Sequence, residues 1–64
     1  MTDNNRIRAV RERRGLTQSQ LGELIGKSQP EVSRLEIPSV APRPKTLRKI
    51  AAALDVSPHD LLVA

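Results

Sequence analysis

The single histidine of this 64-residue chain, His59, stands between Ser57 and Asp60, the residue types of a hydrolytic triad. In a triad each side chain must face the next, and near-neighbours on one helical turn cannot converge that way. The same residues read more simply as a helix start, with Ser57 as N-cap, Pro58 at the first helical position and Asp60 favoured by the helix dipole. One histidine and no cysteine build no zinc site, disulfide or thiol centre. No enzyme activity, metal or cofactor is expected. The absence of Phe, Tyr and Trp argues against RNA-recognition and OB-type modules, whose platforms stack bases on aromatic rings.

Charge is the chemistry that remains. Eleven Lys and Arg against seven Asp and Glu leave +4, which suits a polyanionic partner. The excess is uneven. Residues 1–14 carry five arginines (6, 8, 11, 13 and 14) against Asp3 and Glu12, and residues 43–49 carry four cations and no acid. Two basic clusters thus flank a nearly neutral middle. That pattern fits phosphate contacts on either side of a base-reading element, and equally fits solvated helix faces.

The elements that would position these groups are helical throughout, with no sustained period of two. Ile7 and Val10 share a face of a first helix over about residues 5–14, ended by Gly15. Thr17 and Gln20 form a T-x-x-Q capping box ahead of Leu21, Leu24 and Ile25, and Gly26 ends that second helix. Ser28 and Glu31 repeat the signal as S-x-x-E, with Pro30 in the first turn and Val32 and Leu35 behind it. Pro38 closes the third helix, and 37–43 is a loop. Pro44 opens a fourth helix carrying Leu47, Ile50, Ala51 and Leu54. Pro58 opens a fifth that buries Leu61, with Leu62 as a second candidate. The expected fold is all-α, a single five-helix domain over 1–64 whose core is made from Ile, Val, Leu and Ala alone. The longest apolar run, 50–54, is far below a membrane span, and the N-terminus lacks a signal-peptide stretch, so a soluble intracellular domain is expected.

Two helices joined by a short glycine-containing turn make a helix-turn-helix unit, here over 18–37. Gly26 occupies its turn, and Gly22 is small where the helices approach. The stretch IRAVRERRGLTQSQLGELIGKSQPEVSRLE, with the later TLRKIAAALDVSPHDLL, resembles the phage-repressor and Cro-type (XRE-like) helix-turn-helix family across residues 6–62. Each motif alone is weak, but the series in correct order is specific.

The resemblance implies a lambda-repressor-like domain and a set of roles. The third helix would enter the major groove with its N-terminal residues against base edges. Gln29 would read adenine through a bidentate amide, and Arg34 would pair with guanine or reach a phosphate. Ser33 would bond to base or phosphate, and Pro30 offers only an apolar contact, for instance to a thymine methyl. Gln18 would bind phosphate at the start of the second helix. Ser28 and Lys27 are further phosphate candidates, with a pure N-cap and a solvent-facing lysine as their bland alternatives. Glu31 would either stay in its capping box or accept from cytosine. Arg43 and Lys45 match the family's backbone grip, which carries no sequence information. Arg11 and Glu36 match a structural salt bridge between the first helix and the end of the third. Two departures stand out: Pro38 replaces a usual glycine at the end of the third helix, and Lys27 replaces an apolar turn residue.

The expected function is sequence-specific double-stranded DNA binding by a transcriptional regulator, a repressor first of all, cytoplasmic and nucleoid-associated in a prokaryote or phage. One helix reads few base pairs, so a weak homodimer on a pseudo-palindromic operator is expected, with the apolar end at Leu62 and Val63 as its contact. No membrane and no small-molecule ligand are expected. The alternative is an antitoxin-like or accessory protein-interaction module with secondary DNA binding. Leu24 bears on that alternative, since it falls on the outward side of the second helix, where half-burial is the commoner outcome.

Overall fold

The computed structural model describes residues 5–62. Four α-helices follow one another, α1 Ile7–Arg13, α2 Gln18–Ile25, α3 Gln29–Leu35 and α4 Pro44–Leu54, and a single 3-10 turn spans Pro58–Leu61. The expected fifth helix is therefore one tight turn. Pro58 and Asp60 start it, with Asp60 Oδ2 accepting from the Ser57 amide at 3.1 Å, and the backbone is extended again by Leu62.

Three of the four helices stop in the same way. The residue after the last turn adopts positive φ, and the next amide reaches back to the carbonyl five residues earlier. Gly15 (φ 72°) does this for α1, with Leu16 N donating to Arg11 O at 3.2 Å. Gly26 (φ 72°) does it for α2, with Lys27 N donating to Gly22 O at 2.8 Å. For α4 the residue is Asp55 (φ 57°), whose strain is offset by Val56 N bonding Ala51 O at 3.0 Å. Arg14 Nη2 also donates to the Asp55 carbonyl at 3.1 Å.

Every element supplies the core with at least one fully buried side chain: Ile7, Leu21, Val32, Ile50 with Leu54, and Leu61. Each such burial contributes roughly 1.5–3 kcal/mol before entropy is set against it. Among the four α-helices the contribution of α3 is the smallest, since Val32 is its one buried residue and Leu35 is only half-buried. Two apolar positions of the helical pattern stay out of the core. Leu24 is 60% exposed and Leu62 41% exposed. The α2 helix packs through Leu21, Gly22 and Ile25, which leaves Leu24 at the edge of the apolar stripe. Val63 lies outside the described residues. Among the described residues no helix is long and apolar enough to cross a membrane.

Candidate nucleic-acid interface

The geometry of α2 and α3 is fixed first by their caps. Thr17 Oγ1 accepts from Gln20 N at 3.0 Å while Gln20 Oε1 accepts from Thr17 N at 2.8 Å. Ser28 Oγ accepts from Glu31 N at 3.3 Å while Glu31 Oε1 accepts from Ser28 N at 2.9 Å. Both boxes are those the sequence announces. The bonds to Ser28 hold the Glu31 carboxyl below its ordinary pKa, so Glu31 is ionised and committed to the box. Between the caps, Gly22 leaves no room for a side chain, because a Cβ there would overlap the Lys27 carbonyl oxygen and touch Val32 Cγ2 at 3.4 Å. Gly22 thus serves the turn backbone as much as the helix crossing.

A chain of polar contacts then ties the start of α3 to the interior. Arg11, buried on α1, pairs with buried Glu36 through Nε–Oε2 and through Nη2 to Oε1 at 3.1 Å, and its Nη1 donates to Leu16 O at 2.6 Å. Its hydrogen bond to Glu36 holds the guanidinium above its ordinary pKa. Glu36 Oε1 also accepts from Gln18 Nε2 at 3.0 Å, and Gln18 Oε1 accepts from Gln29 Nε2 at 2.5 Å. The Arg11–Glu36 bridge is thus present, and it extends through Gln18 to the first residue of α3.

On the outer face of α3, Gln29, Pro30, Ser33 and Arg34 are all exposed. One flank of that face meets Gln18. The other borders an open groove of about 520 Å³ between α3 and the 37–43 segment, whose rim carries Lys27, Arg34 and Arg43 over Ile37 and Val40. Lys27 Nζ lies 4.0 Å from Glu31 Oε2, so the cation leans on the first turn of the helix it precedes. Arg43 precedes α4 in extended conformation, and both it and Lys45 are exposed. Ser28 is exposed with its hydroxyl oxygen already accepting from Glu31 N. Among the described residues, no cluster of His, Asp and Glu has the makings of a metal site.

Two participants carry no signal in the sequence. The Gln18–Glu36 link has no local signal, because its partners stand 18 positions apart. Asn5 is buried, and its side chain reaches residues 35–40.

The helix-turn-helix family profile matches residues 7–61. Among solved structures, a protein from Bacteroides fragilis is 33% identical, with a TM-score of 0.85 over 94% of this chain and 97% of its own. The P22 c2 repressor, solved in complex with a synthetic operator, is 34% identical with a TM-score of 0.76, over 88% of this chain and 85% of its own. The restriction-modification controller protein C.AhdI of Aeromonas hydrophila is 30% identical with a TM-score of 0.76, over 84% and 78%. No curated protein matches the chain. Both capping boxes, the glycine turn and the Arg11–Glu36 bridge lie inside the matched span, and the chain belongs to the phage-repressor and Cro-type (XRE-type) helix-turn-helix family of DNA-binding transcription regulators.

Proposed function

We propose that the chain is a sequence-specific double-stranded DNA-binding regulator, most simply a repressor, which lays the outer face of α3 in the major groove. The observation that carries this reading is the Gln18–Gln29 bond, because it decides what Gln29 has left to offer. With one amide hydrogen given to Gln18, the Gln29 amide retains its carbonyl oxygen and a second N–H. That acceptor–donor pair is what adenine N6 and N7 require. Arg34 lies five residues further, beyond one turn, and pairs with guanine O6 and N7. Pro30 covers a thymine methyl, and Ser33 bonds to a neighbouring base or phosphate. Backbone contacts surround this face: the remaining N–H of Gln18 and the Ser28 hydroxyl on one side, Lys27, Arg43 and Lys45 on the other.

Operator occupancy by a weak dimer on a pseudo-palindrome completes the mechanism, with exposed Leu62 as part of the contact. Leu24 favours a second reading. At 60% exposure, above a shallow surface formed with Ala52 and Ala53, it suits a protein partner rather than DNA.

Selection from a random duplex pool, followed by a salt titration on the selected and a scrambled duplex, tests the first reading. A regulator of this kind prefers the selected duplex at every salt concentration and loses affinity steeply as salt rises. Equal affinity for both duplexes would leave the protein-partner reading in its place.

A further inference from the structure

The α3 helix ends differently from the other three, and the difference points to a residue outside the helix-turn-helix unit. Its C-cap, Glu36, is right-handed (φ −86°, ψ −5°), and among the described residues no positive-φ residue follows it before α4. Pro38 stands where a glycine would let the chain make the left-handed turn. The amides of Glu36 and Ile37 take up the Val32, Ser33 and Arg34 carbonyls at 3.1–3.3 Å. The Ile37 carbonyl accepts from Val40 N at 2.9 Å, which leaves the Leu35 carbonyl to find a donor outside the helix.

Asn5 is that donor. Its buried Nδ2 lies 3.2 Å from Leu35 O, 3.1 Å from Ile37 O and 2.7 Å from Val40 O. Its two hydrogens are thus shared among three carbonyls that span the end of α3 and the following segment. The other half of the amide is anchored, since Oδ1 accepts from Ile7 N at 3.2 Å at the first turn of α1. Next to it, Arg6 N donates to Leu61 O at 2.8 Å, which fixes the backbone against the far end of the domain. Val32 and the Arg11–Glu36 bridge hold α3 itself, and Asn5 adds the link that ties its last carbonyl and the proline-bearing segment after it to the start of α1.

We propose that Asn5 is a positioning residue for DNA binding, acting as a C-cap for α3 supplied from the residues just ahead of α1. It touches no DNA itself. It sets where the 37–43 segment leaves α3, and so whether Arg43 and Lys45 reach the backbone while Arg34 is in the groove. This inference rests on the DNA-binding reading above. Neither close relative of asparagine does both jobs at position 5: aspartate lacks the donor, serine lacks the reach, and both keep an oxygen for the Ile7 amide.

That distinction supplies the test on the full chain. Asn5→Ser and Asn5→Asp keep an oxygen for the Ile7 amide and remove the clamp. At a temperature where each variant is folded, protection of the Val40 amide against hydrogen exchange should disappear, since its bond to Ile37 O (2.9 Å) depends on the clamped carbonyls. The salt slope of binding to the selected duplex should become shallower by about one for each phosphate that Arg43 or Lys45 no longer reaches, with base preference at the Gln29 position kept. Lower thermal stability with an unchanged salt slope would overturn the proposal and leave Asn5 a structural residue only. An Asn5→Asp protein that binds like the parent would overturn the donor role. If the parent chain itself showed no duplex preference, the DNA reading would fall and the positioning role with it. Val40 exchange would then still report whether the clamp exists.

Discussion

At the scale of the residue, the side chains that hold the interface and those that would read DNA are different sets, and their substitutions should behave differently. Arg11 and Glu36 are buried and paired, so Arg11→Met leaves the buried Glu36 carboxyl with Gln18 as its remaining side-chain partner and should destabilise the domain by about 3–5 kcal/mol. Combining it with Glu36→Leu removes the carboxyl and should recover much of that stability in denaturant unfolding. A single substitution that cost less than about 1 kcal/mol would mean that the carboxylate finds water. Arg34 is exposed, and among the described residues it has no ion-pair partner within 4.0 Å. Arg34→Ala should leave stability unchanged and weaken binding to the selected duplex by about 1–3 kcal/mol, relaxing preference at one base pair per half-site. If base preference were kept and only the salt slope fell, Arg34 would be a phosphate contact. The pairing of Arg11 with Glu36 was legible through family resemblance. The role of Asn5 was not, because a hydrogen bond across 30–35 positions leaves no periodicity or spacing to detect.

At the scale of the element, most of what the sequence promised is local chemistry, and local chemistry is what a sequence displays. Thr17, Ser28, Gly15 and Gly26 start or stop helices through bonds closed within five residues, and the structure shows each where it was expected. The last helix shrank to a 3-10 turn because cap signals mark where a helix starts, not how far it runs. Leu24 was ambiguous for a different reason: helical spacing puts it beside the apolar stripe, and only the packing of α2 decides that it stays outside. The two glycines of the unit should separate in thermal unfolding. Gly26→Ala meets an open surface and suffers mainly from its φ of 72°, about 1–2 kcal/mol. Gly22→Ala has no such strain, yet its methyl collides with the Lys27 carbonyl and must push the turn away from Val32. It should therefore destabilise more than Gly26→Ala and also weaken duplex binding, since the turn sets how α3 is presented. Equal stability of the two variants would mean that the turn yields freely.

At the scale of the whole molecule, the proposed binding mode fixes an orientation, in which α3 would face the groove floor while α2 and the α4 start would face the backbone on either side. The charge distribution agrees in part. Arg43, the first cation of the 43–49 cluster, lines the groove beside α3, whereas Lys49 borders the surface at Leu24, and Arg6, Arg13 and Arg14 border a separate hollow near Val56 and Asp60, to which α2 and α3 contribute nothing. Of the two basic clusters only the second therefore puts a cation, Arg43, on the groove beside the reading face, a division that net charge along the chain could not reveal. Accordingly, Arg43→Ala with Lys45→Ala should lower affinity for all duplexes alike and reduce the salt slope by about two. The most direct test of the orientation compares Gln29→Ala with Gln18→Ala on one selected duplex and its single-pair variants at fixed salt. Gln29→Ala should flatten discrimination at one adenine-containing pair by about 1–3 kcal/mol and leave stability nearly unchanged. Gln18→Ala should lower affinity for every variant, and because Gln18 bridges Glu36 and Gln29 it should also lower stability and blur the same adenine pair. Discrimination at that pair left intact by Gln29→Ala would contradict the placement of α3 in the groove.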